Sequence, residues 1–401
     1  MTFPVNILFI CFALSAGLLL YILLGYPILI AGLARIWRHP VQKKTIFPTI
    51  TIVIPTHNEE TVITQKLDNI LGLEYPRDRL QVIVCDDASG DRTAELTRKF
   101  ASNGFELSEV SVRAGKASAL NRGLALARGE IFAITDADIM LSQDSLRELI
   151  ANFADESVGC VVAQTLTKAS ESAIGQTGGG LYWRYESFLC QNESDLHSTV
   201  AATGHLMGLR RKIMPHIPTN VILDDFYLAM MTIRQRYRVI SEPKAIVWEN
   251  PIKAMGDEFI RRRRLAAGRY QIFMMGWNYF PQMSGLLRFQ VVSHKFLRLG
   301  IPYFMILALT SNLLLAIRPV ILSLSFPLRI LTVSVLIFQG MFYLTALIGK
   351  MTPDTGAKKS KLSKIFMLPY FICATNFASL TGLYWYLSGR QTVLWEQAKR
   401  G

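Results

Sequence analysis

The stretch Ala133-Ile134-Thr135-Asp136-Ala137-Asp138-Ile139-Met140 places two carboxylates directly after an apolar run. The run from Ile131 to Ile134 predicts a buried β-strand. Because residues i and i+2 of an extended strand point to the same side, we expect Asp136 and Asp138 to aim at one point. Such a point suits a hard divalent cation, Mg²⁺ or Mn²⁺. The alternative is a strand-end turn with two solvated aspartates, since Asp-x-Asp is a common pair.

The composition indicates a soluble domain joined to membrane segments. The chain has 401 residues, of which 51% are hydrophobic, a high share for a purely soluble enzyme. Its net charge is +13, and much of the Lys and Arg lies beside long apolar segments, which favours contact with anionic lipid. No basic stripe with interleaved aromatic residues stands apart, so nucleic acid is not an expected partner. The five cysteines are scattered and show neither a disulfide framework nor zinc spacing.

The first apolar stretch, residues 5–33, is long enough to span a bilayer. It is too long for the core of a signal peptide, although a cleaved signal sequence is the alternative interpretation. Four cations follow it, and by the positive-inside rule they place that side in the cytoplasm. These cations are Arg35, Arg38, Lys43 and Lys44.

Three further apolar stretches near the carboxyl end predict membrane-spanning helices. They cover residues 301–317, 328–348 and 365–387. Residues 286–299 mix apolar and basic side chains, as a helix lying at the membrane interface would. The loop between the last two stretches is rich in lysine and is therefore expected to be cytoplasmic.

Between these membrane segments, strand patterns alternate with helix patterns from residue 47 onward. Strands are predicted at residues 48–55, 80–85, 110–112 and 131–134. This alternation predicts a mostly parallel sheet with helices on both faces, and ligands bind such sheets beyond the carboxyl ends of the strands. The turn after the first strand, Asp86 with Asp87, and Asp136 with Asp138 all follow strands. We therefore expect them to share one cleft.

Four later motifs each have a structural and a functional interpretation. Residues 178–186 begin with glycines and continue as an aromatic helix, which serves either packing or acceptor binding. Residues 202–208 form a small-residue loop that leads into a strand. Asp224 and Asp225 open a predicted helix, where acids ordinarily complement the helix dipole. The arginine run at residues 261–264 is, in its simplest interpretation, a patch on the membrane surface.

In this order, the motifs resemble those of the membrane-embedded family 2 glycosyltransferases, which include the hyaluronan, chitin, cellulose and poly-N-acetylglucosamine synthases. The matching segments are Ile54–Glu59, Cys85–Asp91, Gly115–Asn121, Asp136–Asp138, Leu223–Leu228 and the arginine run. The resemblance implies a GT-A fold, an α/β domain with a mostly parallel sheet. It divides the chain into residues 1–46 (transmembrane helix and basic linker), 47–285 (cytoplasmic GT-A domain) and 286–401 (interfacial and about three transmembrane helices).

The resemblance also implies roles for individual residues. The nucleotide sugar would be bound by Thr56, Asn58, Glu59, Asp86, Asp87, Lys116, Asp136 and Arg261. Mg²⁺ or Mn²⁺ on the diphosphate would be held by Asp136 and Asp138. Asp225 would be the general base, with Asp224 supporting it and Arg264 offsetting charge on the leaving diphosphate. Thr203, Gly204 and His205 would line the acceptor site.

The sequence departs from the family pattern at two motifs. Polymerising members carry Gln-x-x-Arg-Trp, where this chain has Arg261 to Leu265. Arg264 keeps the cation, but Leu265 cannot supply the stacking face of the lost tryptophan. Thr-Glu-Asp has become Leu223-Asp224-Asp225. These changes bear on processive synthesis and make a shorter acceptor, such as a lipid carrier or lipid-linked saccharide, plausible.

The expected function is metal-dependent, inverting transfer of a sugar, from a UDP-sugar by resemblance, to a saccharide or lipid-linked acceptor. The product would be a β-linked exopolysaccharide or glycolipid. The expected place is the inner (plasma) membrane, with the multi-pass chain contacting lipid and its catalytic domain in the cytoplasm; accessory export subunits are candidate partners. The alternative is a non-catalytic membrane subunit of a polysaccharide-synthesis complex. A transporter is disfavoured, because few ionisable residues lie inside the apolar stretches.

Overall fold

A mixed β-sheet lies at the centre of the computed structural model, which describes residues 3–167, 180–250, 255–275, 283–351 and 361–394. β-Branched, apolar runs form its strands, as their composition predicts. The strands are β1 (Ile50–Thr56), β2 (Leu80–Asp86), β3 (Phe105–Ser108), β4 (Ile131–Ile134), β5 (Met140–Leu141), β6 (Val158–Thr167), β7 (Met207–Arg210) and β8 (Arg238–Glu249).

The sheet has a parallel half and a mixed half. Its strand order is β3-β2-β1-β4-β7-β6-β8-β5. Strands β3, β2, β1 and β4 run parallel, so their carboxyl ends meet at one edge, as the sequence predicted. Strand β7 is antiparallel to both β4 and β6, while β8 is parallel to β6 and antiparallel to β5. The expectation of a mostly parallel sheet therefore holds for the half that contains the first four strands.

Helices cover both faces of the sheet and continue into the apolar ends of the chain. Those of the amino-terminal half are α1 (Phe3–Leu20), α2 (Tyr26–Ile36), α3 (Ile63–Leu71), α4 (Thr93–Arg98), α5 (Lys116–Leu126) and α6 (Ser145–Ile150). The others are α7 (Gly180–Leu196), α8 (Asp224–Arg234), α9 (Met255–Met274), α10 (Gly285–Gln290), α11 (Leu297–Leu299), α12 (Ile301–Leu315), α13 (Arg318–Ser323), α14 (Phe326–Met351) and α15 (Lys361–Leu387). Single π-helical turns join α1 to α2 (Tyr21–Gly25) and α10 to α11 (Val291–Phe296).

Alternate residues of the central strands feed two separate cores. Val53 and Ile83 lie in one core together with residues of α5 and α8. Ile52 and Val82, one position earlier, lie in the other core against α3 and α6. This period of two is the ordinary consequence of strand geometry, and it fixes which way each strand end presents its polar residues.

Two details of the sequence prediction are corrected. The third strand is Phe105–Ser108, and Val112 of the predicted strand is 74% exposed in a loop. Phe105 rather than Val112 is buried, and its ring stacks on Phe100. Strand β4 also ends at Ile134, so the Asp136–Asp138 segment is a turn and not a continuing strand.

Three described helical segments are long and apolar enough to cross a membrane: Val5–Ile36, Phe326–Met351 and Ile365–Leu387. They confirm three of the predicted spans. The predicted span at residues 301–317 does not form a spanning helix of its own. Its helix, Ile301–Leu315, is bent by 58° against Gly285–Leu299, and only the two together are long and apolar enough to cross a membrane. The chain is therefore a membrane protein with three candidate spans, or four if the bent pair is one. The lysine-rich loop at 352–360 and the glycines Gly178 and Gly179 lie outside the described residues.

A buried group of charges joins these helices to the soluble domain. We call it the junction cluster, and it consists of Tyr26, Glu186, Glu193, His294, Lys295 and Arg298. His294 lies between the two glutamates, with Nδ1 2.7 Å from Glu193 Oε1 and Nε2 3.1 Å from Glu186 Oε1. Lys295 Nζ and Arg298 Nη1 reach Glu186 at 3.0 and 2.7 Å. Each glutamate therefore has several partners that offset the cost of its burial.

Candidate active site

The turns that follow β1 and β2 are joined to each other by hydrogen bonds. Asn58 has a positive φ of 57°, its backbone N–H donates to Ser89 Oγ at 2.8 Å, and its Oδ1 accepts from Gly90 N at 2.8 Å. The backbone N–H of Glu59 donates to Thr93 Oγ1 at 2.7 Å. These bonds give the predicted nucleotide-sugar residues of the first turn a fixed place beside the second.

Asp86 and Asp87 are buried, and both bind the protein itself. Asp86 accepts from the hydroxyl of Thr56 at 3.2 Å and from the backbone N–H of Ser89 at 2.9 Å. Asp87 accepts from the backbone N–H groups of Ala114 and Gly115, at 2.9 and 2.7 Å. Asp87 thereby fixes the loop that leads into α5, whose first residue is the predicted donor-site lysine.

Lys116 connects this loop to the predicted metal and base residues. Its Nζ lies 2.7 Å from Asp136 Oδ1 and 3.7 Å from Asp224 Oδ2. Burial alone would lower the pKa of Lys116, but Asp136 and Asp224 outweigh it and raise the pKa above its usual value. The ammonium is therefore held charged between two elements far apart in the sequence.

The negative charge of Asp225, the predicted base, is only partly offset by its neighbours. Burial and the neighbouring Asp224 raise its pKa to about 6. One of its carboxylate oxygens accepts the backbone N–H of Phe226 at 2.7 Å. Burial lowers the pKa of Arg264, although Asp224, Asp136 and Asp225 act to raise it. We call Lys116, Asp136, Asp224, Asp225 and Arg264 the carboxylate cluster.

The loop with Thr203, Gly204 and His205 borders the carboxylate cluster. A Cβ placed on Gly204 would lie 3.1 Å from Lys116 Nζ and 3.9 Å from Asp136 Oδ2, so the backbone approaches closely. His205 Nδ1 lies 2.8 Å from Thr165 Oγ1, and its ring centroid is 5.6 Å from that of Trp183. The structure thus brings this loop to the carboxylate cluster and adds Thr165 and Trp183 to its surroundings.

The four consecutive arginines of α9, Arg261 to Arg264, have four different environments. Arg261 Nη1 lies 3.1 Å from Glu249, and Arg262 Nε lies 2.6 Å from Glu258. The Arg263 guanidinium lies 3.4 Å from the ring centroid of Trp385, while Arg264 is influenced by the three acids of the carboxylate cluster. The run is therefore not simply a membrane-surface patch. Leu265, which replaces the family tryptophan, packs against the core.

The donor set of Asp136 and Asp138 fits a divalent cation that takes its other ligands from substrate and water. Both are half-buried and alternate with the buried residues Ala137 and Ile139. Among the residues that the structure describes, no group of three or more His, Cys, Asp or Glu side chains could hold a metal. Mg²⁺ in particular is commonly bound through one or two carboxylates together with substrate phosphates.

The sequence reasoning missed Lys66, Thr165 and Glu249 as residues of this neighbourhood. Lys66 is fully buried in α3, and its ammonium contacts both ends of the Asp136–Asp138 turn. A lysine on the apolar face of a predicted helix was the available signal, since an unpaired lysine is almost never fully buried. Thr165 and Glu249 lie near strand ends whose pairing no local pattern reveals.

Comparisons with known proteins show what the chain is similar to. Residues 51–217 match the family described as Glycosyl transferase family 2. The chain is 25% identical over 281 residues to the probable glycosyltransferase YdaM of Bacillus subtilis (strain 168), covering 65% of this chain and 63% of that protein. It is 25% identical over 230 residues to the poly-beta-1,6-N-acetyl-D-glucosamine synthase of Staphylococcus aureus (strain COL), covering 56% and 55%. The chain thus spans less than two thirds of the length of these curated relatives.

A solved structure shares the whole architecture. It is that of the mannosyltransferase PcManGT from Pyrobaculum calidifontis in complex with GDP-Man and Mn²⁺, with a TM-score of 0.68 and 24% identity. The match covers 92% of this chain and 99% of that one, and it supports the fold. The chain therefore has a GT-A-like fold, in which residues 51–217 match the family 2 glycosyltransferase model, joined to helices long and apolar enough to span a membrane.

Proposed function

We propose that the chain is an inverting, metal-dependent glycosyltransferase that moves a sugar from a nucleotide sugar to a saccharide or lipid-linked acceptor. The observation that carries this proposal is the carboxylate cluster. A half-buried acid with a pKa of about 6, Asp225, lies beside a charged ammonium, Lys116, that also binds Asp136. A base whose pKa is near the working pH and cations suited to a diphosphate are the parts that sugar transfer requires.

The reaction follows as a single displacement. Asp225 accepts the proton of an acceptor hydroxyl, whose oxygen bonds to the anomeric carbon as the bond from that carbon to the diphosphate oxygen breaks. The diphosphate leaves with the electron pair, and an α-linked donor gives a β-linked product. Lys116 and Arg264 offset the negative charge that develops on the leaving group. A divalent cation bound by Asp136 and Asp138 would add Lewis-acid stabilisation of the same oxygens.

The remaining predicted residues have positioning roles in this proposal. The turn of Thr56, Asn58 and Glu59, with Asp86 and Asp87, shapes the nucleoside pocket. Arg261 supports the donor site from α9, although in this structure it pairs with Glu249. Thr203, Gly204 and His205 form the acceptor side, where a Cβ on Gly204 would press against Lys116 Nζ at 3.1 Å.

Two features of the proposal concern substrate and place. The resemblance favours a UDP-sugar, whereas PcManGT was solved with GDP-Man. The test therefore includes both uridine and guanosine nucleotide sugars. The cations after residue 33 support a catalytic domain in the cytoplasm at the inner (plasma) membrane. An exopolysaccharide or glycolipid product follows from that place, with accessory export subunits as candidate partners.

The decisive experiment uses membrane vesicles that hold the full chain. They are supplied with labelled UDP-N-acetylglucosamine, UDP-glucose, UDP-glucuronate, UDP-galactose and GDP-mannose, with Mn²⁺, Mg²⁺ or EDTA, and the product is sized and extracted. We expect metal-dependent transfer from one donor that the Asp225→Asn protein does not perform. A large polymer indicates a synthase, and a small organic-extractable product indicates a lipid-linked acceptor. No turnover of any donor contradicts the proposal and favours the non-catalytic subunit.

A further inference from the structure

Lys66 is one of the largest fully buried side chains in the described structure. It projects from α3 between the core residues Ile63 and Leu67, towards the turn that carries Asp136 and Asp138. Burial lowers the pKa of Lys66 to about 7, while the two aspartates act in the opposite direction. Nothing in the reaction proposed above uses this lysine, so its place beneath the turn requires another explanation.

The Lys66 ammonium contacts both ends of that turn. Its Nζ donates to Thr135 Oγ1 at 2.8 Å and also to the backbone carbonyl of Ile139. These two residues directly flank the predicted metal ligands. One charged group therefore sets the distance between the points where the turn begins and ends.

The same contact extends to the acceptor side. Thr135 Oγ1 donates to the backbone carbonyl of His205 at 2.7 Å. Lys66 is thus joined through one hydroxyl to the loop that borders the carboxylate cluster. The donor-side turn and the acceptor-side loop share this single buried anchor.

Asn69, one helical turn after Lys66, provides the contrast. Its side-chain amide exchanges two hydrogen bonds with the backbone of Leu141, at 2.8 and 2.9 Å. Asn69 therefore fixes the strand beyond the turn in the same buried interface, but it carries no charge and does not reach the acceptor loop. The two residues separate ordinary packing from the role of the ammonium.

We propose that Lys66 is a positioning residue that holds the Asp136–Asp138 turn in register with the loop of Gly204 and His205. This inference rests on the proposed function, because it explains how donor and acceptor sites keep one geometry. An ammonium suits the place because it can donate to several acceptors at once, and the carboxylates beyond the turn offset its burial. A neutral side chain of the same length would leave Thr135 Oγ1 and the Ile139 carbonyl without this donor.

The test compares Lys66→Met with Asn69→Leu in the purified full-length protein. Mn²⁺ binding is measured by titration calorimetry without substrate, thermal unfolding is measured alongside, and donor and acceptor KM are obtained from initial rates. We expect Lys66→Met to weaken Mn²⁺ binding about 10- to 100-fold, the usual range for residues that orient metal ligands, and to raise both KM values. Asn69→Leu is expected to lower the unfolding temperature and leave Mn²⁺ binding nearly unchanged.

Three results would overturn the inference. Lys66→Met binding Mn²⁺ as the unaltered protein does, or more tightly, would mean that the ammonium does not position the ligands. Equal losses in both variants would reduce Lys66 to packing. Unaltered protein that binds no Mn²⁺ would remove the metal site itself. If the unaltered protein binds Mn²⁺ and Lys66→Met weakens it while no donor is turned over, only the proposed function fails.

A second variant keeps the test valid if Lys66→Met does not fold. Thr135→Val removes the hydroxyl between Lys66 and His205 but leaves the ammonium in place. We expect it to raise the acceptor KM several-fold and to weaken Mn²⁺ binding less than Lys66→Met does, because the contact of Lys66 with the Ile139 carbonyl remains. An acceptor KM equal to that of the unaltered protein would show that the turn and the loop are not coupled through this hydroxyl.

Discussion

The molecule contains two groups of acids and cations, the buried junction cluster and the half-buried carboxylate cluster, and they are constructed in opposite ways. In the junction cluster, burial would raise the pKa of Glu186, yet Lys295, Arg298 and His294 hold it well below its usual range. In the carboxylate cluster, burial and a neighbouring acid raise the pKa of Asp225 to about 6. Glu186 of the first group is therefore stable as an ion, whereas the second group contains an acid that changes charge near neutral pH.

The difference comes from how many cations meet each carboxylate. The cations Lys295 and Arg298 and the imidazole of His294 lie within 3.1 Å of Glu186, so the charge of Glu186 is compensated, which suits a structural role. Asp225 accepts one backbone N–H and faces the charge of Asp224, while Lys116 binds Asp136 instead. Acids whose pKa is shifted in this way by burial and a neighbouring charge are often found at sites of acid–base catalysis. The comparison therefore assigns catalysis to one cluster and architecture to the other.

The largest expected effect is on catalysis. Asp225→Asn removes the proposed base without changing its size, and we expect kcat to fall about 10²- to 10⁴-fold, the contribution typical of a general base. Thermal unfolding should not be impaired, because a buried carboxylate with a raised pKa is not stabilising at neutral pH. Initial rates at saturating donor and acceptor measure the effect.

The control for this variant is Asp78→Asn, which makes the same chemical change at an exposed site before β2. Its rate should equal that of the unaltered protein. Transfer by Asp225→Asn at the normal rate would assign the proton to another group.

The next effect is on stability and belongs to the junction cluster. Glu186→Gln leaves Lys295, Arg298 and His294 buried without their shared carboxylate, so we expect a loss of about 3–5 kcal/mol in the free energy of unfolding. Denaturation in detergent measures it. Glu95→Gln, which breaks an exposed pair with Lys99, is the matched control and should change stability by about 0.5 kcal/mol or less. Equal stabilities of the two variants would mean that the junction cluster is not structural.

The pH dependence sharpens the comparison further. Because Asp225 must be deprotonated to accept a proton, kcat/KM should rise with pH and level off above about 6. Asp224→Asn removes a neighbouring negative charge that raises the pKa of Asp225, so the rising limb should move to lower pH. Rates across the range from pH 5 to pH 8 test this in both proteins. A limb that stays in place would show that another group titrates.

The carboxylate cluster was predictable from the sequence, but the junction cluster was not. An acid at the end of a strand can be predicted from its neighbours alone. Asp136 is an example, because it follows an apolar run. Glu186 and His294 are separated by 108 residues, and neither the aromatic helix pattern of the one nor the apolar and basic pattern of the other indicates that the two elements meet. Their pairing depends on how the helices pack, which sequence periodicity does not encode.

The same limit explains the smaller errors and omissions. The third strand was placed at residues 110–112 because valines alternate there, but the buried Phe105 decides the pairing with β2. Lys66 was overlooked because a lysine within a helix is ordinarily solvated. Only the tertiary structure places its ammonium under the Asp136–Asp138 turn. The acids of the site can thus be predicted from the sequence, whereas the distant residues that position them cannot.

The smallest expected effect lies on the acceptor side. There Leu265 packs against the core, and Trp183 is the aromatic residue beside His205. If Trp183 supplies the stacking face that Leu265 lacks, Trp183→Leu should raise the acceptor KM roughly 2- to 12-fold, because an aromatic contact contributes about 0.5–1.5 kcal/mol. Donor KM should stay unchanged, since the ring packs against His205 on the acceptor side. Trp183→Phe, which keeps an aromatic face, should recover most of the loss. An acceptor KM that is the same in all three proteins would leave acceptor binding to polar groups alone.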